Sequence, residues 1–265
     1  MTAAREGAGL PAFIIIGAMK SGTSSLHHYL RQHPEICMSS AKEPNFFIEA
    51  GNFGKGVDWY RSIFADHTKI CGEASPAYSK RHRHRGVPER LHRLVPHVKL
   101  IYLLRDPIDR MLSHYLHNRI LGRETRSFSE AVAARSYRNN YVRTSMYGFQ
   151  LAAFVEHFPL ERVLLVTTED LKDARGETLR KIFRFVGVDP HFEGSDFDRL
   201  FNQTQAMGGA AAGGADRISR ARHGPDALER PAFAQDDQDR LTEHLAPDID
   251  GLRALTGLRF ERWRL

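Results

Sequence analysis

Phe13-Ile14-Ile15-Ile16-Gly17-Ala18-Met19-Lys20-Ser21-Gly22-Thr23-Ser24-Ser25-Leu26 is the stretch that decides the fold. Its first four residues are bulky and continuously apolar, the pattern of a strand buried on both faces inside a parallel sheet. Gly17 to Gly22 reads as a tight turn, and Thr23 to Gln32 as a helix ended near His33-Pro34. A strand feeding a small-residue turn and then a helix aims backbone N–H groups at one spot, where the helix dipole adds partial positive charge. Gly22 allows close approach, Lys20 adds a full charge, and Thr23, Ser24 and Ser25 add hydroxyl donors. These features together predict a phosphate cradle. It is not the Walker A pattern, because Lys20 precedes the second glycine. The bland alternative is an ordinary strand–helix turn with an exposed lysine.

Working outward, Ile36-Cys37-Met38, Lys69-Ile70-Cys71-Gly72, Val98 to Leu104 and Arg162 to Val166 read as further strands. Val57 to Phe64, Asp106-Pro107 to Leu121, Tyr147 to Phe158 and Thr178 to Val186 read as helices. Leu241 to Leu255 has helical spacing, interrupted by Pro247. Strands alternating with helices predict an α/β three-layer sandwich with a central, mainly parallel sheet, like that of P-loop NTPases. One domain over residues 1–265 is expected, with a flexible N-terminus at 1–11 and a mobile substrate or cofactor loop at 203–232, where Ala206 to Ala215 is all small or uncharged.

The 265 residues are 42% hydrophobic and 26% charged, which excludes a disordered or collagen-like chain and a bundle of membrane spans. Lys plus Arg number 38 and Asp plus Glu 32, a net charge of +6 that suits an anionic ligand. Cys37 and Cys71 are too few for a disulfide framework and sit at no zinc spacing, so free thiols in a reducing compartment are expected. Phe13 to Ile16 is too short for a signal peptide or a span, and a cytoplasmic protein without membrane insertion is the expectation.

Two further segments carry chemistry. In Lys42-Glu43-Pro44-Asn45-Phe46-Phe47 a carboxylate sits beside proline and two aromatics, where partial desolvation would make it a better base; the alternative is a solvated loop glutamate. Arg105 ends the best strand, at the crevice where parallel sheets bind ligands, and Ser113 lies about two turns into the next helix. Arg105 is suited to phosphate. The alternative is that it pairs with Asp106 or Asp109.

Together these segments resemble the P-loop-like sulfotransferases that use 3′-phosphoadenosine 5′-phosphosulfate (PAPS), above all the heparan sulfate and related carbohydrate enzymes. Lys20 to Thr23 matches the family's K-x-G-T turn, Lys42 to Phe47 its K-E-x-x-F-F segment, and Arg105, Pro107, Arg110 and Ser113 its R-x-P-x-x-R-x-x-S segment. The likeness extends to His33-Pro34-Glu35, Gly72 to Tyr78 and Tyr147 to Pro159, across about residues 12 to 190. It implies in-line sulfuryl transfer to a hydroxyl or amine, with release of 3′,5′-ADP (PAP) and no metal. Lys20 would neutralise the leaving oxygen, and the turn from Ser21 to Ser24 would hold the 5′-phosphate. Glu43 would be the general base, and Arg105 and Ser113 would clamp the 3′-phosphate. Ala74 stands where the glycosaminoglycan enzymes carry a lysine, so the acceptor is left open among glycans, glycosylated small molecules and lipid-linked sugars. Arg217, Arg220, Arg222 or Arg230 could replace the family's basic C-terminal contact to the nucleotide.

Two other functions compete. A P-loop kinase would need Mg²⁺ and a metal-holding aspartate, for which Asp170 is the loose candidate. A nucleic-acid-binding protein would need a recognition module, and the basic residues are scattered instead. His27 and His28 are rival bases on the first helix, and His82-Arg83-His84-Arg85 is a basic loop that could attract an acidic acceptor.

Overall fold

The computed structural model describes residues 9–133, 139–197 and 234–265. Five strands form one parallel sheet: β1 (Phe13–Gly17), β2 (Ile36–Met38), β3 (Ile70–Ala74), β4 (Lys99–Leu104) and β5 (Val163–Thr167), in the order β2-β3-β1-β4-β5. Between and after them run α1 (Thr23–Arg31), α2 (Gly56–Ser62), α3 (Val87–Leu94), α4 (Pro107–Ile120), α5 (Phe128–Ala133), α6 (Asn140–Ser145), α7 (Tyr147–Val155), α8 (Thr168–Asp173), α9 (Arg175–Val186) and α10 (Gln235–Thr256). The chain leaves β1 for one side of the sheet and returns on the other at β4. The crevice therefore opens at the carboxyl ends of β1 and β4.

The apolar run at β1 is buried on both faces because successive side chains alternate across the sheet. Ile14 and Ile16 pack with Tyr102, Leu104, Leu151 and Phe154 on one face, while Phe13 and Ile15 pack with Leu26, Leu30, Ile182 and Phe183 on the other. The three-layer α/β sandwich expected from sequence is thus present. A smaller cluster joins α4, α5, α6 and α10 through Met111, Phe128, Tyr141 and Leu245.

Two expectations need correction, and a third lies beyond the described residues. Gly9, Leu10 and Pro11 are buried, and Ala12 N–H donates to Cys71 O at 2.8 Å, so the packed chain starts before residue 12. The stretch 203–232, with Arg217, Arg220, Arg222 and Arg230, lies outside the described residues. Pro247 does not interrupt the last helix: α10 runs through it. Proline inside a helix costs about 3 kcal/mol. The offset is tertiary: Leu245, Ile249 and Leu252 are fully buried, and the Asp248 carboxylate accepts Gly148 N–H at 2.9 Å and Phe149 N–H at 2.7 Å in the first turn of α7. Among the described residues no helix is long and apolar enough to cross a membrane.

Beneath the crevice lies a buried carboxylate. Glu73, fully buried on β3, accepts the hydroxyls of Tyr60 at 2.7 Å, Tyr78 at 2.9 Å and Ser75 at 2.7 Å. Burial pushes its carboxyl up from 4.5 to about 7, against the opposing pull of those three donors. A carboxyl raised in the folded state stabilises most below its unfolded value and loses that contribution as pH rises to the folded one. Urea unfolding should therefore show the chain losing stability between pH 4.5 and about 7 in a way that Glu73→Gln does not; parallel profiles would show that Glu73 ionises normally. Next to it, a methyl group on Gly72 would overlap the Phe13 ring. Gly72→Ala should cost about 1–3 kcal/mol by denaturant titration, the usual penalty of overpacking a core.

Candidate active site

The turn after β1 is shaped by close approach. A Cβ on Gly17 would strike Ser79 and the Tyr102 ring. Gly22 caps α1 with φ 87°, a left-handed conformation suited to glycine, and no side chain caps the helix. The first-turn amides of any helix lack intrahelical acceptors. Here the first turn stands at the carboxyl end of β1, with Ser21 and Thr23 buried and Gly22, Ser24 and Ser25 half-buried. The Thr168 hydroxyl lies 2.7 Å from Ser21 O and 2.8 Å from Leu104 O, tying the turn to the end of β4.

Lys20 is half-buried in this turn with φ 71°. Its amine is lowered by burial, then by Lys42, Arg105 and Arg110, against the pull of Glu43. Those interactions place the candidate base and the candidate 3′-phosphate arginine within electrostatic reach of the turn lysine.

Arg105 and Arg110 have different roles. Arg110 is fully buried: Nε donates to Ser145 Oγ at 2.6 Å, Nη1 to Met19 O at 3.3 Å and Nη2 to Tyr141 O. Burial lowers its guanidinium to about 10, which leaves it charged, and no carboxylate among the described residues pairs with it. It therefore holds the turn from behind and leaves its charge uncompensated. Arg105 is the open one, its side chain 29% exposed, with Nη2 3.9 Å from Asp109. The pairing weighed from sequence is thus present, but Asp109 is shared with Arg264 at 3.0 Å, so two guanidiniums face one carboxylate. Ser113 is half-buried one turn beyond Asp109 on the same strip of α4. Asp106 caps α4, accepting Ile108 N–H at 3.0 Å and Asp109 N–H at 2.9 Å.

Glu43 departs from expectation. Its side chain is 44% exposed and 3.3 Å from Lys42, not shielded by the aromatics beside it. Phe46 and Phe47 are turned into the core against Tyr60 and Tyr78, where they anchor the loop instead of covering the carboxylate. The loop is strained, with φ 59° at Glu43 and 49° at Asn45. It is fixed to β3 by Glu43 N–H to Ala74 O at 3.1 Å, Asn45 N–H to Ser75 Oγ at 3.0 Å and Phe47 N–H to the Tyr78 hydroxyl at 3.3 Å. Ser75 and Tyr78 are the groups that also bind Glu73, so the buried carboxylate positions the exposed one. Sequence reading included Glu73 only in the wider likeness and missed its role; its signal was the lone charge in the stretch Ile70 to Ser79.

The rival groups are buried or paired. His27 is buried and lowered to about 4 by burial, then by Lys42, and His28 pairs with Asp196 at 3.1 Å. His82 is not part of a free basic loop: it lies 3.1 Å from both Asn140 and Gln150, and burial lowers it to about 4. Asp170 is half exposed at the head of α8, 3.8 Å from Arg262.

Residues 10–206 match the sulfotransferase domain family. The chain is 34% identical over 220 residues to the heparan sulfate glucosamine 3-O-sulfotransferase 3B1 of Mus musculus, covering 76% of this chain and 53% of that protein. It is 28% identical over 200 residues to the bifunctional heparan sulfate N-deacetylase/N-sulfotransferase 2 of Homo sapiens, covering 68% and 22%. The chain thus spans about half or less of these curated relatives. A sulfotransferase crystal structure from Alicyclobacillus acidocaldarius superposes with TM-score 0.75 at 26% identity, covering 96% of this chain and 99% of that one. A mouse sulfotransferase, SULT7A1, complexed with PAP shares the fold at 18% identity and TM-score 0.58, covering 92% and 84%. With the family match spanning well over half its length, the chain belongs to the sulfotransferase domain family.

Proposed function

We propose that this chain transfers a sulfuryl group from PAPS to a hydroxyl or amine of a carbohydrate or glycosylated small molecule, leaving PAP. The observation that carries this reading is the gathering of Lys20, Arg105 and Glu43 around one uncapped helix N-terminus. Family membership and the carbohydrate-sulfating relatives support the same chemistry. The residues fit such a donor: close-approach glycines, an open helix end and cations that outnumber the nearby carboxylates. Lys20 with the turn from Ser21 to Ser25 would hold the 5′-phosphosulfate, and Arg105 with Ser113 the 3′-phosphate. When bound, the donor supplies an electrophilic sulfuryl group with PAP as leaving group.

This chain's own work is electrostatic and acid–base. Lys20 and the head of α1 offset charge growing on the leaving oxygen; removing one such preorganised donor typically costs about 3–4 kcal/mol. Glu43, at the open edge beside Lys20, takes the acceptor's proton. Its exposure suits a base whose partner arrives from solvent. The kinase alternative finds little support in Asp170, which is half exposed and lies 3.8 Å from Arg262.

Lys20→Ala should abolish sulfate transfer from PAPS to a glycan panel; a near-wild-type rate would remove Lys20 from the chemistry. Glu43→Gln should keep PAP affinity while turnover falls about 100-fold or more, the usual effect of losing a general base. In calorimetric titrations Arg105→Ala should weaken PAP far more than ADP, and equal losses would refute the 3′-phosphate assignment. PAP at 100 times its Kd should add about 2.7 kcal/mol to the stability of the unmodified chain.

A further inference from the structure

The loop that leaves β3 ends in a lysine whose surroundings differ from those of every structural cation nearby. Lys80 is only 8% exposed. Its Nζ lies 2.8 Å from Met19 Sδ, in the turn immediately before Lys20. That thioether is a weak acceptor, and among the described residues no carboxylate, carbonyl or hydroxyl takes the ammonium's donors. Arg110, fully buried and bound to the same Met19, places all three guanidinium nitrogens on neutral oxygens. Lys99 likewise reaches Val186 O. Cations with purely structural roles here have oxygen partners, and Lys80 has none.

The loop backbone makes the placement deliberate. Ser79 N–H donates to Ile16 O at 3.0 Å and Lys80 N–H to Ala77 O at 3.1 Å, so the side chain starts from a fixed point beside β1. Ala74 gives the end of β3 no cation of its own. Burying an ammonium without a hydrogen-bonding anion is costly. Glu43 is the acid whose field reaches it.

We propose that Lys80 is a second ammonium for the transferred sulfuryl group, giving hydrogen bonds to its oxygens alongside Lys20. The inference rests on the sulfuryl-transfer reading of the same site. Lys80 forms no covalent bond; protonated when the donor is bound, it stabilises charge on the group in flight. Burial first, then Arg110 and Arg83, lower its amine to about 7, opposed by Glu43. His114 on α4 and His82 and His84 in its own loop also lie in its field, each pushed down by burial and so supplying no compensating anion. An arriving anion would favour the charged form, so donor binding should draw a proton onto Lys80.

PAP lacks the sulfuryl group and PAPS carries it, so the pair isolates the contact. Lys80→Met should bind PAP within about threefold of the unmodified chain. It should bind PAPS about tenfold or more weakly, the usual loss of a hydrogen bond to a charged group. Turnover should fall about 100-fold. Calorimetry in buffers of different ionisation enthalpy, at a pH above 7, should show more proton uptake with PAPS than with PAP, and Lys80→Met should erase that difference. Lys80→Gln serves the same comparisons if the methionine variant does not fold. Unchanged PAPS affinity and turnover in a folded variant would overturn the role of Lys80 alone, as would equal weakening of both nucleotides. An unmodified chain that binds neither nucleotide would overturn the sulfuryl-transfer reading and this inference with it.

Discussion

Positive charge without matching negative charge is the constraint around which the crevice is organised. Arg110 is buried on carbonyl and hydroxyl dipoles, Lys80 on a thioether, Lys20 is half-buried in the turn, and Arg105 shares its carboxylate with Arg264. Neutral dipoles let a guanidinium be buried without cancelling its field. The field is therefore left uncancelled, which suits the multiply charged donor proposed above. The parallel sheet makes this possible. It brings the ends of β1 and β4 side by side, so a turn lysine and a strand-end arginine meet although they are far apart in sequence.

Charge alone would not fix geometry, and the second constraint is mechanical. Lys20 and Glu43 both occupy left-handed backbone that non-glycine residues rarely adopt. Such conformations persist when their surroundings over-determine them. For Lys20 the surroundings are Thr168 on Ser21 O and Arg110 on Met19 O. For Glu43 they are Ser75 and Tyr78, both held in turn by Glu73. The site is thus two strained loops set on buried polar knots.

The readable parts of this design are local ones. The apolar run of β1, the small-residue turn, the strand-end arginine and the capped proline start of α4 each announce themselves within about ten residues, because periodicity and turn chemistry act over that range. The unreadable parts depend on contacts distant in sequence. Lys80 opens a run of basic residues that looks solvated, and only the hydrogen bond from Ser79 to β1 turns it inward. Glu73 becomes a support only because Tyr60 and Tyr78 converge on it from two other segments. Pro247 looks like a helix break until α7 is packed against it. The aromatics after Glu43 suggested a shielded carboxylate, but they fold beneath the loop because the core offers Tyr60 as a stacking partner.

The cations also form a gradient from the core to the mouth. Arg110 is fully buried, Lys80 nearly so, and Lys20 and Arg105 are both half-buried. An interaction with a buried charge is stronger and less screened than one at the surface. A doubly charged ligand entering from the Arg105 side would meet weak, salt-screened attraction first and strong, dry attraction last. Glu43 stands at the outer edge of that same gradient, close enough to Lys20 to share its field and exposed enough for an acceptor to reach. Binding strength and access, which conflict in a uniformly buried pocket, are therefore separated along one axis of the crevice.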